Sequence, residues 1–306
     1  MGTACIANGT RDKRHAVVTT LRSPEYMMGL RELKCTLERT NPGLQLVILG
    51  AAGDFQPDDP LVEEIKQLGE YRLEEDLRFP NSLEERFSLN WIKLRLWRWE
   101  EYDALIILDV DVLVLGDLTH LFHLATNFAW TRNNGPDAWD LNKGGLIMMR
   151  PCMKTYEAMM RIIAEHPQLQ FVESYAEQDF LSWYFRYTAY DLPTRYNLNF
   201  RWLNMDGRGP GGAEPILIHF ADPDSKERLF NATQADPLWS AYLCYQPQHP
   251  ELDAARAQYA RPEHVEAQRS ELLAHQEQRL RVHSTARSAH LPDRHRHARP
   301  AQDMQE

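Results

Sequence analysis

The stretch Leu105-Ile-Ile-Leu-Asp109-Val-Asp111-Val-Leu-Val-Leu115 carries two carboxylates, two residues apart, within an apolar run of strand length. Side chains of a strand alternate faces, so the spacing predicts Asp109 and Asp111 on one face at the end of a buried strand. Two carboxylates on one face repel each other, and burying them without a counter-charge is costly. A divalent cation relieves both problems, and hard carboxylate oxygens suit Mg²⁺ or Mn²⁺. The competing reading of the triplet is a strand end whose acids meet water.

Outward from this stretch the pattern is one of strands feeding helices. His15-Ala-Val-Val-Thr-Thr20 reads as a first strand, Ser23 to Thr40 has helical periodicity with Pro24 near its start, and Asn41-Pro-Gly43 breaks it. Leu44 to Leu49 is a second strand. That alternation predicts an α/β, Rossmann-like fold with a mostly parallel sheet. Leu61–Leu68 reads as a helix, Tyr71–Leu73 as a short strand and Leu89–Tyr102 as a helix leading into the Asp-x-Asp strand. Further strands are expected at Asn127–Trp130, Gly144–Met149 and Ile216–His219, and helices near Lys154–Glu165 and Gln178–Phe185. Ligands of such open sheets bind at the carboxyl ends of the strands.

The 306 residues, 43% of them hydrophobic, suffice for one large domain with an appendage. Three segments are expected: a polar leader at 1–14, a catalytic domain at 15–250 and a polar helical or disordered tail at 251–306. The tail holds 9 basic and 9 acidic residues and 6 of the 12 His, so the formal charge of −10 belongs to residues 1–250. An acidic body speaks against nucleic acid as a partner. No apolar run has the length of a membrane span. Cys5, Cys35, Cys152 and Cys244 show no metal-ligand spacing and read as free thiols of a cytoplasmic protein. Asn8-Gly-Thr10 and Asn231-Ala-Thr233 keep open a piece of a secretory-pathway protein, and a homodimer also stays open.

Several motifs in order carry a resemblance. Ala16-Val-Val-Thr-Thr20, Tyr26, Lys93-Leu-Arg-Leu-Trp97, the Asp109–Asp111 strand, Gly144-Gly145, Glu177-Gln-Asp179, Tyr196-Asn-Leu198 and His219-Phe220 together resemble the glycogenin-like, retaining glycosyltransferases of family 8. The resemblance covers roughly residues 15–230. It implies a nucleotide-diphospho-sugar transferase fold of the GT-A type and a UDP-sugar donor, UDP-glucose first, with UDP-galactose and UDP-glucuronate open. It implies Mn²⁺, or Mg²⁺, held by Asp109, Asp111 and His219; a nitrogen ligand shifts the preference towards Mn²⁺. Thr20, Tyr26, Lys93, Asp109, Val110, Asn142, Gly144, Glu177, Gln178 and Lys226 are implied as donor-binding residues, with Lys143 the alternative to Asn142. Gln178 and Asp109 are the implied catalytic residues, Gln178 positioning the sugar and stabilising charge.

The chain also departs from that family. Glu177 stands where Asp is usual, Ser174 replaces an upstream acid, and Phe220 to Lys226 replaces a Gly…Lys-Pro-Trp segment. The segment from Asn197 to Asn204 lacks the acceptor Tyr of self-glucosylating members, so an external acceptor is expected. Two rival readings are a haloacid-dehalogenase-like phosphatase, with Asp109 as nucleophile and Asp111 as general acid, and a non-catalytic sugar-binding or scaffold protein of the same fold.

Overall fold

The computed structural model describes residues 14–77, 89–132, 142–166, 176–203, 207–221, 225–226, 229 and 244. The chain divides into Met1–Pro250 and Glu251–Glu306, and every described residue belongs to the first unit. The polar leader before Arg14, Cys5, Ser174, Asn204, both glycosylation triplets and the tail lie outside the described residues.

Strands β1 (His15–Thr20), β2 (Leu46–Ala51), β3 (Glu70–Glu74) and β4 (Ala104–Leu108) pair in parallel. Strand β7 (Asn142–Met149) then enters antiparallel between β4 and β6 (Phe128–Arg132), and β8 (Tyr190–Leu192) closes the edge parallel to β6. The sheet order is β3-β2-β1-β4-β7-β6-β8. Alternate residues of the central strands feed two cores. Val17, Ile48, Ile106 and Leu108 face one side with Leu30, Leu33 and Leu37, whose i, i+3, i+7 spacing forms the apolar stripe of α1 (Met27–Thr40). Val18, Leu49, Leu105 and Ile107 face the other, with Trp91, Leu94 and Trp97 of a 3-10 helical run (Leu89–Arg98) and Phe180 of α4 (Ala176–Phe185). Each fully buried Leu or Ile contributes about 1.5–3 kcal/mol. Two further helices are α2 (Pro60–Leu68), capped by the Asp59 carboxylate accepting from the Leu61 N–H at 2.9 Å, and α3 (Met153–Glu165).

The predicted single strand through Asp109 and Asp111 is two strands. β4 ends at Leu108, and β5 (Val112–Val114) belongs to a separate three-stranded sheet of order β5-β10-β9. The two carboxylates sit in the turn between them. A continuous buried ladder leaves no room for charged side chains among apolar neighbours, and the turn directs both towards the sheet edge. In the second sheet β10 (Leu217–His219) runs antiparallel to β5 and parallel to β9 (Leu198–Asn199). β5 is fixed to α1 by the Thr36 hydroxyl, which accepts from the Val114 N–H at 3.2 Å, and by Asn41, which bonds the Gly116 carbonyl and the Leu118 N–H.

The expectation of free thiols is overturned. Cys35 on α1 forms a disulfide with Cys244, 209 residues away, and the Cys244 N–H donates to the buried Glu32 carboxylate at 2.8 Å. Cys152 is also in a disulfide. Long separation hid the pair, since sequence spacing says nothing about contacts made by folding.

Candidate active site

Three elements converge at the carboxyl end of β4. Thr19 pairs with Leu108 in the parallel register, so Thr20 and Asp109 end neighbouring strands. β10 places His219 opposite Val112, and the Phe220 N–H donates to the Asp111 carbonyl at 3.0 Å. Nε2 of His219 therefore lies 3.4 Å from Asp111 Oδ1 and 3.8 Å from Asp109 Oδ2. One ligand atom from each of Asp109, Asp111 and His219 falls within 4.8 Å of the others.

A divalent ion fits this set. Ligands at 2.0–2.2 Å around one ion stand about 3 Å apart at adjacent octahedral positions, close to the separations found. The His219 tautomer fits as well. Its Nδ1 lies 3.0 Å from Oδ1 of Asn197, while Nδ2 of Asn197 donates to the Gly144 carbonyl. The amide oxygen only accepts, so Nδ1 donates to it and Nε2 is the ring nitrogen left facing the two carboxylates. Three electron-rich groups facing one point are an arrangement that a cation stabilises.

A glycine pair within β7 closes the site. Gly144 and Gly145 both have φ +66°, a region that side chains strain to enter. The Gly145 N–H donates to Asp109 Oδ2 at 2.9 Å, and the Asp109 N–H returns a bond to the Gly145 carbonyl at 3.1 Å. A Cβ at Gly145 would lie 2.5 Å from both Asn197 Oδ1 and His219 Nδ1; one at Gly144 would lie 2.6 Å from Gln178 Nε2 and 3.2 Å from Asp109 Oδ2. The Gln178 carboxamide is thus held beside Asp109.

Cations balance the acids. The Lys93 ammonium, from the 3-10 run, bonds Asp109 Oδ1 at 2.7 Å and Glu177 Oε1 at 3.1 Å, and both Lys93 and Glu177 are buried. Burial works against the charge on Lys93, but Asp109 and Glu177 outweigh it and hold its pKa above the ordinary lysine value. Burial raises the pKa of Glu177, and Lys93 offsets this only in part; among the described residues Glu177 Oε2 has no hydrogen-bond partner. For Asp111 burial is overcome by His219 and then Lys226, which keep the carboxyl well below the usual range. Lys226 Nζ sits 2.9 Å from Asp111 Oδ2 and 6.0 Å from the ring centre of the half-buried Tyr26.

The structure therefore brings together Asp109, Asp111, His219, Lys93, Glu177, Gln178, Gly144 and Lys226, with Thr20 and Tyr26 on the flank. The Val110 side chain is buried in the core that faces α1. Asn142 opens β7 opposite Arg132, and its side chain lies outside the described set, as does that of Lys143. Sequence reasoning missed Asn197 as a link between His219 and Gly144. The signal was the Tyr196-Asn-Leu198 motif itself, a polar residue ahead of a short strand.

No family profile matches the chain. Over 256 residues it is 30% identical to UDP-glucuronate:xylan alpha-glucuronosyltransferase 2 of Arabidopsis thaliana, covering 78% of this chain and 37% of that one. Over 171 residues it is 27% identical to galactinol synthase 2 of Solanum lycopersicum, covering 46% and 49%. The chain belongs to glycosyltransferase family 8. This family 8 chain thus spans between about a third and a half of the length of these curated relatives. The fold matches the glycosyltransferase GlyE of Streptococcus pneumoniae with a TM-score of 0.52 at 16% identity, over 76% of this chain and 62% of that one. The family 8 chain has the GT-A type of α/β fold.

Proposed function

We propose that the chain is a metal-dependent, retaining hexosyltransferase that moves a sugar from a UDP-sugar to an external acceptor. The observation that carries this reading is the convergence of Asp109, Asp111 and His219 Nε2 beside the Gln178 carboxamide. Asp109, Asp111 and His219 would hold the metal, Mn²⁺ ahead of Mg²⁺ because one ligand is nitrogen. When bound, it neutralises the donor diphosphate and stabilises charge on the departing UDP.

The protein's own groups do the rest. Thr20 and Tyr26 flank the nucleotide, and Lys226, 2.9 Å from Asp111, offers the diphosphate a second cation. Lys93 holds Asp109 and Glu177 in place beside the donor sugar. Gln178 positions the sugar and offers an amide dipole to charge developing at the anomeric carbon. The donor placed first is UDP-glucose, followed by UDP-galactose. The relatives' names bring UDP-glucuronate into range, but the Glu177 carboxylate works against a second carboxylate on the sugar. Tyr196 supports an external acceptor, since its hydroxyl is engaged by His120 Nε2 at 2.7 Å.

No described helix is long and apolar enough to cross a membrane. The cytoplasmic expectation does not sit well with a disulfide between Cys35 and Cys244, and an oxidising compartment is the reading we adopt. A screen of UDP-glucose, UDP-galactose and UDP-glucuronate for UDP release, with and without Mn²⁺, tests the assignment. Release from a neutral hexose donor in Mn²⁺ supports it; release from none of the three would sink it.

A further inference from the structure

We propose that Asn197 is the positioning residue of the metal centre, holding the proton of His219 on Nδ1, fixing the aim of Nε2 and tying the ring to the glycine pair of β7. The inference rests on the metal-dependent reading above and goes beyond it by giving a role to a residue outside the ligand set. Asn197 is fully buried in the 3-10 turn Thr194–Asn197. Its two amide atoms have different duties. Oδ1 accepts from His219 Nδ1 at 3.0 Å, and Nδ2 donates to the Gly144 carbonyl.

These duties are fixed by chemistry. A carbonyl oxygen such as that of Gly144 can only accept, so it must meet the NH₂ end of the amide. The C=O end then faces the imidazole, which must donate from Nδ1. The remaining imidazole nitrogen, Nε2, is the one that faces the Asp111 and Asp109 carboxylates, at 3.4 and 3.8 Å, and that can offer a lone pair to a cation placed between them. With the ring turned over or the proton moved, Nε2–H would hydrogen-bond a carboxylate and be lost as a ligand.

Space enforces the same arrangement. A Cβ on Gly145 would meet both Asn197 and His219 at 2.5 Å, so the amide and imidazole are packed directly over a residue without a side chain. Gly145 in turn donates its N–H to Asp109. Asn197, Gly144-Gly145, His219 and Asp109 are therefore joined by one continuous set of contacts. A residue that only filled this space would need none of the polar contacts, whereas a residue that sets the tautomer needs an acceptor at the Oδ1 position.

Two substitutions separate the roles. Asn197→Leu keeps the volume and removes the acceptor; Asn197→Asp keeps an acceptor for Nδ1–H. Mn²⁺ binding in the presence of UDP, followed by electron paramagnetic resonance, should weaken by about 10- to 100-fold in Asn197→Leu and by less in Asn197→Asp, which keeps the acceptor for Nδ1–H but loses the donor to the Gly144 carbonyl. Nitrogen NMR of the metal-free wild type should show His219 protonated at Nδ1. Equal Mn²⁺ affinity in wild type and folded Asn197→Leu would overturn the proposal, as would a wild-type His219 whose Nδ1 carries no proton. The NMR result stands even where Asn197→Leu does not fold. Wild type that binds no Mn²⁺ at all would instead remove the metal reading on which the proposal rests.

Discussion

Lys93 is the residue on which the buried charges of the site depend. Its ammonium is the counter-ion shared by Asp109 and Glu177, and both partners lie within 3.1 Å. Lys93→Met would leave two carboxylates facing each other without it. Breaking a buried pair by removing one partner costs about 3–5 kcal/mol. A urea or thermal melt should show a loss of that order, partly recovered by adding Glu177→Gln, which removes the less exposed of the two orphaned charges. A Lys93→Met protein as stable as wild type would mean that the acids are neutral in the fold. At this scale the sequence was informative where chemistry is written in one residue type: Asp109, Asp111 and His219 were legible from carboxylate spacing and motif order. Asn197 was not, because an amide acquires a role only from the partners that folding brings to it. The Lys93–Glu177 contact spans 84 positions and was equally invisible.

Among elements, α1 is the best tied. It packs on β5 through Thr36 and Asn41, and on α2 through Arg31, whose guanidinium bonds both carboxylate oxygens of Glu64 at 2.5 and 2.8 Å. The hydrogen bond from Arg31 lowers the Glu64 pKa, against a smaller opposing effect of burial. A depressed carboxyl pKa contributes stability above its unfolded value of about 4.3 and loses it as pH falls through the folded value. Both groups are partly exposed, so Glu64→Gln should cost at most about 1 kcal/mol near pH 7 and nothing measurable well below pH 4. Melts at the two pH values decide it, and a difference that grows on acidification would contradict the assignment. The strand–helix alternation was readable here because periodicity is local. The break between β4 and β5 was not, because an apolar run looks the same whether it serves one sheet or two. The antiparallel entry of β7 and the short β8 and β9 likewise follow from tertiary pairing.

For the whole molecule, the Cys35–Cys244 disulfide sets the largest constraint on the chain. It closes a loop of 209 residues that contains every residue of the candidate site except Thr20 and Tyr26. Loop closure of that length restricts the unfolded chain and stabilises the fold by about 2–5 kcal/mol. Peptide mapping without reductant should recover Cys35 linked to Cys244, and reduction or Cys244→Ala should lower the melting temperature by roughly 5–15 °C. Recovery of both as free thiols from protein made in an oxidising compartment would contradict the disulfide and with it the assignment to that compartment. The free-thiol expectation failed because composition reports how many cysteines exist and not which of them meet.

The central claim is that Asp109, Asp111 and His219 act through a divalent ion in sugar transfer, and UDP release measured with and without chelator tests it most directly. The account predicts release in Mn²⁺, its abolition by excess EDTA, recovery on adding Mn²⁺ back, and a loss of about a hundredfold or more in folded Asp111→Asn. Full release by the wild-type protein in excess EDTA would contradict it.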